Sequence, residues 1–143
     1  RQKFSERFSE YPLEKIIPVS EKIEILPGVF STGEAGEKVR EHSMVISTAK
    51  GLVLITGCAH QGIIEILEGI TKDSKENIYM VLGGFHFKDM SLGDIENRLK
   101  LLKEIRIKHP APCHCTGNTG ILKFYENYGS SLIRTGVGRV IEV

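Results

Sequence analysis

Apolar and polar positions change their period once along this chain. Across residues 22–26, Ile23 and Ile25 alternate with Lys22 and Glu24, the two-residue period of a half-buried strand. Pro27-Gly28 turns the chain, and residues 29–32 read as the next strand, followed by a polar loop over 32–40 (TGEAGEKVR). Residues 44–48 and 52–56 are two more strands bracketing the short turn Ala49-Lys50-Gly51. After Thr56 the period lengthens. Ile63, Ile64, Leu67 and Ile70 fall at helical spacing within residues 61–71. The continuous apolar run 78–82 fits a buried strand. Ser91 and Asp94 open a helix in the manner of a capping box, and Ile95, Leu99, Leu102 and Ile105 form its stripe, within residues 92–108. Residues 109–113 are a short Pro-flanked strand, and 120–128 a third helix with Gly129 as its C-cap. Residues 131–134 and 139–143 are expected to close the chain as strands around Gly136 and Gly138. Residues 1–21, with Phe4, Phe8 and Tyr11 among polar residues and Pro12 and Pro18 as punctuation, read as an arm or irregular lead-in. No repeat or linker interrupts the pattern, so residues 1–143 are expected to form a single layered α/β unit.

Composition narrows the function more than the fold. The 143 residues carry 19 Lys+Arg against 18 Asp+Glu, a net charge of +1, without the basic surplus of a nucleic-acid binder. The longest apolar runs fall far short of the ~20 residues of a membrane helix, and the charged N-terminus does not read as a signal peptide. Three cysteines, Cys58, Cys113 and Cys115, are an odd number for a disulfide framework and suit a reducing, cytoplasmic setting. The chain opens on Arg1 rather than Met, which raises the expectation of further sequence upstream.

Three of the five histidines share one context. His60 follows Leu52-Val53-Leu54-Ile55-Thr56-Gly57-Cys58-Ala59, His86 follows Tyr79-Met80-Val81-Leu82-Gly83-Gly84-Phe85, and His114 follows Ala111-Pro112-Cys113. Each stands just beyond an apolar, strand-like run, and helices separate the three points. Parallel strands joined by helical crossovers end on one edge of a sheet, where α/β ligand sites form. The three imidazoles are therefore expected to converge, with the cysteines beside them, into a zinc, iron or manganese site. His42 and His109 lack this context. His42 is a weak candidate near the site, and His109, at the end of the second helix, reads as structural. In an extended Cys113-His114-Cys115 segment, His114 would face one side and both cysteines the other, so either the imidazole or the thiols address the site. His114 is favoured, which leaves Cys113 and Cys115 as packing residues. Thr116-Gly117-Asn118-Thr119-Gly120 opens a helix whose free N–H groups can receive an anion, although N-capping alone explains the same residues. Gly83-Gly84 permits close backbone approach to a ligand, or a tight turn.

Three blocks, residues 51–63 (GLVLITGCAHQGI), 82–86 (LGGFH) and 114–117 (HCTG), resemble the metallo-β-lactamase superfamily. Within it they look like metal-dependent hydrolases described as dihydropterin–ribofuranosylaminobenzene 5′-phosphate synthases. The resemblance runs from about Ile25 to Val143. It implies an αββα sandwich with a metal centre along one edge, of which this chain would be the C-terminal half, a mixed β-sheet with helices on one face. It makes His114 the last histidine ligand and places Cys58 where relatives carry a metal-bridging Asp. Cys58 or His60 would then bind metal, with imidazole favoured, and His86 would act on substrate or proton. Gly83, Gly84, Thr116 and Gly117 would line the substrate. The signature H-x-H-x-D-H is not found in these residues. The implied protein is a hydrolase of a phosphoester or pterin-precursor-like small molecule, using a divalent metal, zinc first, and active with a complementary N-terminal half. Self-association is the expected substitute for that half, and neither nucleic acid nor membrane is an expected partner. Two other readings remain: a binding or assembly module that keeps the fold without the metal signature, and a redox or zinc-storage protein using Cys113 and Cys115.

Overall fold

The structure, a computed structural model, describes residues 16–143. Residues 1–15 of the expected lead-in arm lie outside the described residues. Six strands form one sheet in sequence order: β1 (Ile23–Leu26), β2 (Val29–Ser31), β3 (Met44–Thr48), β4 (Gly51–Thr56), β5 (Ile78–Gly84) and β6 (His109–Cys113). The first four strands pair antiparallel, β1 to β2 and β3 to β4 through short turns and β2 to β3 across the loop over 32–43. β4, β5 and β6 pair parallel, across α1 (Ile63–Asp73) and α2 (Leu92–Ile105). A third helix, α3 (Gly117–Tyr128), follows β6 after a 3₁₀ turn at His114–Thr116.

The pleat sorts the sheet's side chains. Phe30, Val45, Leu54 and Val81 are register partners on one face and belong to a single core with Ile63 and Leu67 of α1, Leu99 and Leu102 of α2, and Phe124 of α3. The helices thus cover one face of a mixed sheet, as the resemblance implies. Val53 and Met80, paired on the opposite face, are buried outside that core, whereas Met44 on the same face is exposed. α2 begins as its sequence foretells: Ser91 accepts from the backbone N–H of Asp94, and its hydroxyl donates to the Asp94 carboxylate at 2.6 Å. Arg106 ends the helix in a left-handed conformation, three residues short of His109.

The two closing strands expected at 131–134 and 139–143 do not form. Ile133 donates its N–H to the Pro110 carbonyl (2.9 Å), and Thr135 its hydroxyl to that of Pro112 (3.3 Å). Ile133 with its main chain and Thr135 with its side chain thus meet the outer edge of β6, yet neither proline has an N–H to return. The segment can lean on the edge but cannot build a ladder. Proline chemistry overrides the apolar pattern there. His109, read as the end of a helix, instead opens β6, where its Nδ1 meets the Ser131 carbonyl at 3.0 Å and its ring packs edge-on to Tyr79.

Candidate functional site

The three parallel strands end side by side, and the loops after them are bound to one another. Gly84 donates its N–H to the Gly57 carbonyl (2.9 Å), and Lys88 donates to that of Cys115 (3.1 Å). Thr116 is fully buried; its hydroxyl donates to the Cys113 carbonyl at 2.8 Å and accepts from the Phe85 N–H at 3.0 Å. The glycines serve the same closeness. A Cβ on Gly84 would stand 2.5 Å from the Cys115 sulfur and 2.7 Å from the Gly57 carbonyl oxygen. One on Gly83 would stand 2.2 Å from the Thr56 oxygen, and one on Gly117 2.9 Å from the Lys88 Cα. Gly83, Gly84, Thr116 and Gly117, the residues expected at the substrate, are placed where the loops pack together.

Each loop carries one non-glycine residue in the left-handed region: Ala59 (φ 53°), His86 (φ 55°) and His114 (φ 49°). Such conformations are held by their surroundings and gather at functional sites. The local sequence explains the second one. Phe85 and Phe87 turn inward and are buried against Phe124 of α3, so the residue between them is driven outward. His86 is that residue.

His60 and His86 meet, with ring centroids 4.7 Å apart and planes inclined by 52°. Both line an open groove of about 1050 Å³ whose far wall is the 34–40 loop, with Glu37, Lys38 and Arg40. A second cavity of about 550 Å³, between α1 and Phe30, Val45 and Leu52, contains no histidine or cysteine. His114 is exposed at the start of the 3₁₀ turn and, among the described residues, makes no ring contact with either imidazole. His42, also exposed, shares a 2.8 Å hydrogen bond with Ser31.

The cysteines do not follow the two-sided alternation of an extended segment, because the strand stops at Cys113 and the chain coils through Cys115. Cys115 therefore turns toward β4, its thiol donating to the Cys58 carbonyl (3.4 Å). All three cysteines are free. Burial pushes the Cys58 thiol above its usual range, and the neighbouring Cys115 thiol and the Glu41 carboxylate push it the same way.

Sequence reasoning passed over Glu41. One of its carboxylate oxygens accepts from the backbone N–H of His60, and the other lies 3.0 Å from the His60 Nδ1. A signal existed in the register: Met44 pairs with Ile55, and continuing that antiparallel pairing outward sets residue 41 opposite residue 58.

The donors present, imidazoles beside a thiol and a carboxylate, suit a borderline divalent metal in kind. In number they fall short: among the described residues no three His, Cys, Asp or Glu side chains stand together as a metal-holding group.

The mixed sheet with helices on one face has a counterpart among solved structures. A metal-dependent hydrolase of the β-lactamase superfamily, known from its crystal structure, superposes on 90% of this chain with a TM-score of 0.78 and 30% identity, this chain covering 57% of it. The chain carries the fold of that metallo-β-lactamase-type hydrolase. It is also 28% identical over 147 aligned positions to 7,8-dihydropterin-6-methyl-4-(β-D-ribofuranosyl)-aminobenzene-5′-phosphate synthase of Methanocaldococcus jannaschii, covering 84% of this chain and 50% of that protein. An uncharacterised protein of the same organism is 36% identical over 95 residues, 66% of this chain and 35% of its own length. The chain thus spans between a third and somewhat over half of the proteins it matches. No family model matches it.

Proposed function

We propose that this chain is the C-terminal half of a metal-dependent hydrolase acting on a phosphoester or pterin-precursor-like small molecule, complete only when a complementary half supplies further ligands. The observation that carries the reading is the convergence of three parallel-strand loops bearing His60, His86 and His114 on one sheet edge. The kinship to a metal-dependent hydrolase and to a synthase in pterin chemistry supports the substrate class. His60 and His114, with Cys58 as the other candidate, would hold a divalent metal, zinc first and iron or manganese next. When bound, such a metal lowers the pKa of a coordinated water and polarises a phosphoryl oxygen. His86, exposed beside His60, is placed to hold substrate or relay a proton at the groove. Three free thiols agree with a reducing, cytoplasmic location. Among the described residues no helix is long and apolar enough to cross a membrane. The exposed end of the sheet, with Ile23, Ile25 and Leu26 of β1 and Met44 of β3 exposed, is the surface a complementary half or a second copy would cover.

The test joins metal analysis to turnover of a chromogenic phosphodiester. The chain alone, in zinc, manganese or iron buffer, is expected to show no turnover. Addition of an N-terminal fragment carrying H-x-H-x-D-H is expected to bring stoichiometric metal and activity together, both lost on His114→Ala. Turnover by the chain alone, or metal and activity that survive His114→Ala, would sink the proposal.

A further inference from the structure

The structure assigns Glu41 the part of a positioning residue that fixes His60 in one tautomer and one orientation. Its two carboxylate oxygens serve the same residue, one on the backbone N–H and one at the ring Nδ1. A carboxylate only accepts hydrogen bonds, so the neutral ring carries its proton on Nδ1, and its lone pair is left on Nε2. That nitrogen is free for the groove shared with His86. Glu41 is itself held. Ala35 and Glu41 exchange backbone hydrogen bonds at 2.9 and 3.1 Å, and the Ser43 N–H is bound by the Thr32 hydroxyl at 2.9 Å. Of the pair Glu41 is the more buried, with 17% of its side chain exposed against 32% for His60, so the carboxylate is the better fixed of the two.

The arrangement is the one by which proteins orient an imidazole that must present a defined nitrogen, and removing the carboxylate commonly costs 10–100-fold in metal affinity or activity. What the free nitrogen does rests on the proposed function; the tautomer does not. The experiment is long-range ¹H–¹⁵N correlation of the His60 ring in the metal-free chain near pH 8, compared with Glu41→Gln. Wild type is expected to show the Nδ1–H form. In Glu41→Gln the amide oxygen can keep the backbone bond while its NH₂ faces Nδ1, so the ring is expected to move toward the Nε2–H form. Zinc affinity, measured with the complementary fragment, is expected to fall about 10–100-fold. An Nε2–H form in wild type, or a folded Glu41→Gln variant with an unchanged tautomer, would overturn the assignment. If Glu41→Gln does not fold, the wild-type spectrum alone decides. Failure to bind metal at all would refute the proposed function and leave the tautomer result standing.

Discussion

The two halves of the sheet follow opposite rules. β1 to β3 are short antiparallel strands, the first two joined by a tight turn and the next two by the loop over 32–43, and β1 has no buried residue. β4 to β6 are parallel, their interior positions are buried, and α1, α2 and α3 close over them. The histidine loops all belong to the second half. Antiparallel strands return after a turn and spread their loops over both ends of a sheet. Parallel strands must cross over, so successive loops are delivered to the same end. The first half contributes to the site in one place, where the loop before β3 brings Glu41 to His60.

That contrast sets the scale of three substitutions. Phe124 is fully buried, with ring centroids 5.2 Å from Phe85 and 5.8 Å from Phe87, the pair that pushes His86 outward. Phe124→Ala is expected to cost about 3–5 kcal/mol in urea unfolding. It should also broaden the His86 resonances. A loss near 1 kcal/mol would mean that the aromatic cluster does not support the loop. Thr116→Val keeps the shape but leaves the Phe85 N–H without its acceptor, with an expected cost of about 1–3 kcal/mol. A neutral result would show that the three loops are held by packing rather than by this hydroxyl. Ile25→Ser, on the exposed half at 53% accessibility, is expected to stay within about 0.5 kcal/mol of wild type. A larger effect would show that β1 is covered in solution.

Much of this was legible in the sequence because period alone separates the two halves. Alternation at Ile23 and Ile25 and the continuous run at Ile78 to Leu82 each led to the right element, although β1 is exposed at all four positions where a half-buried strand was expected. The His86 loop was legible because the imidazole stands just beyond an apolar, strand-like run. His114 was harder to place. Period-two reasoning holds only while the strand lasts, and it ends one residue before the imidazole. The closing strands failed because apolarity was weighed without asking whether β6 could donate. Glu41 was hidden among the other glutamates of a polar loop, and only the pairing register of β3 with β4 distinguishes it.

The prolines of β6 also bear on how copies of this chain could meet. A sheet edge that accepts hydrogen bonds but cannot donate at Pro110 and Pro112 will not template another strand. Among the described strands the only other outer edge is β1. With one competent edge, sheet-to-sheet growth consumes that edge in the first encounter. Two copies paired through β1 would form a closed two-fold pair, leaving no second edge from which a filament could extend.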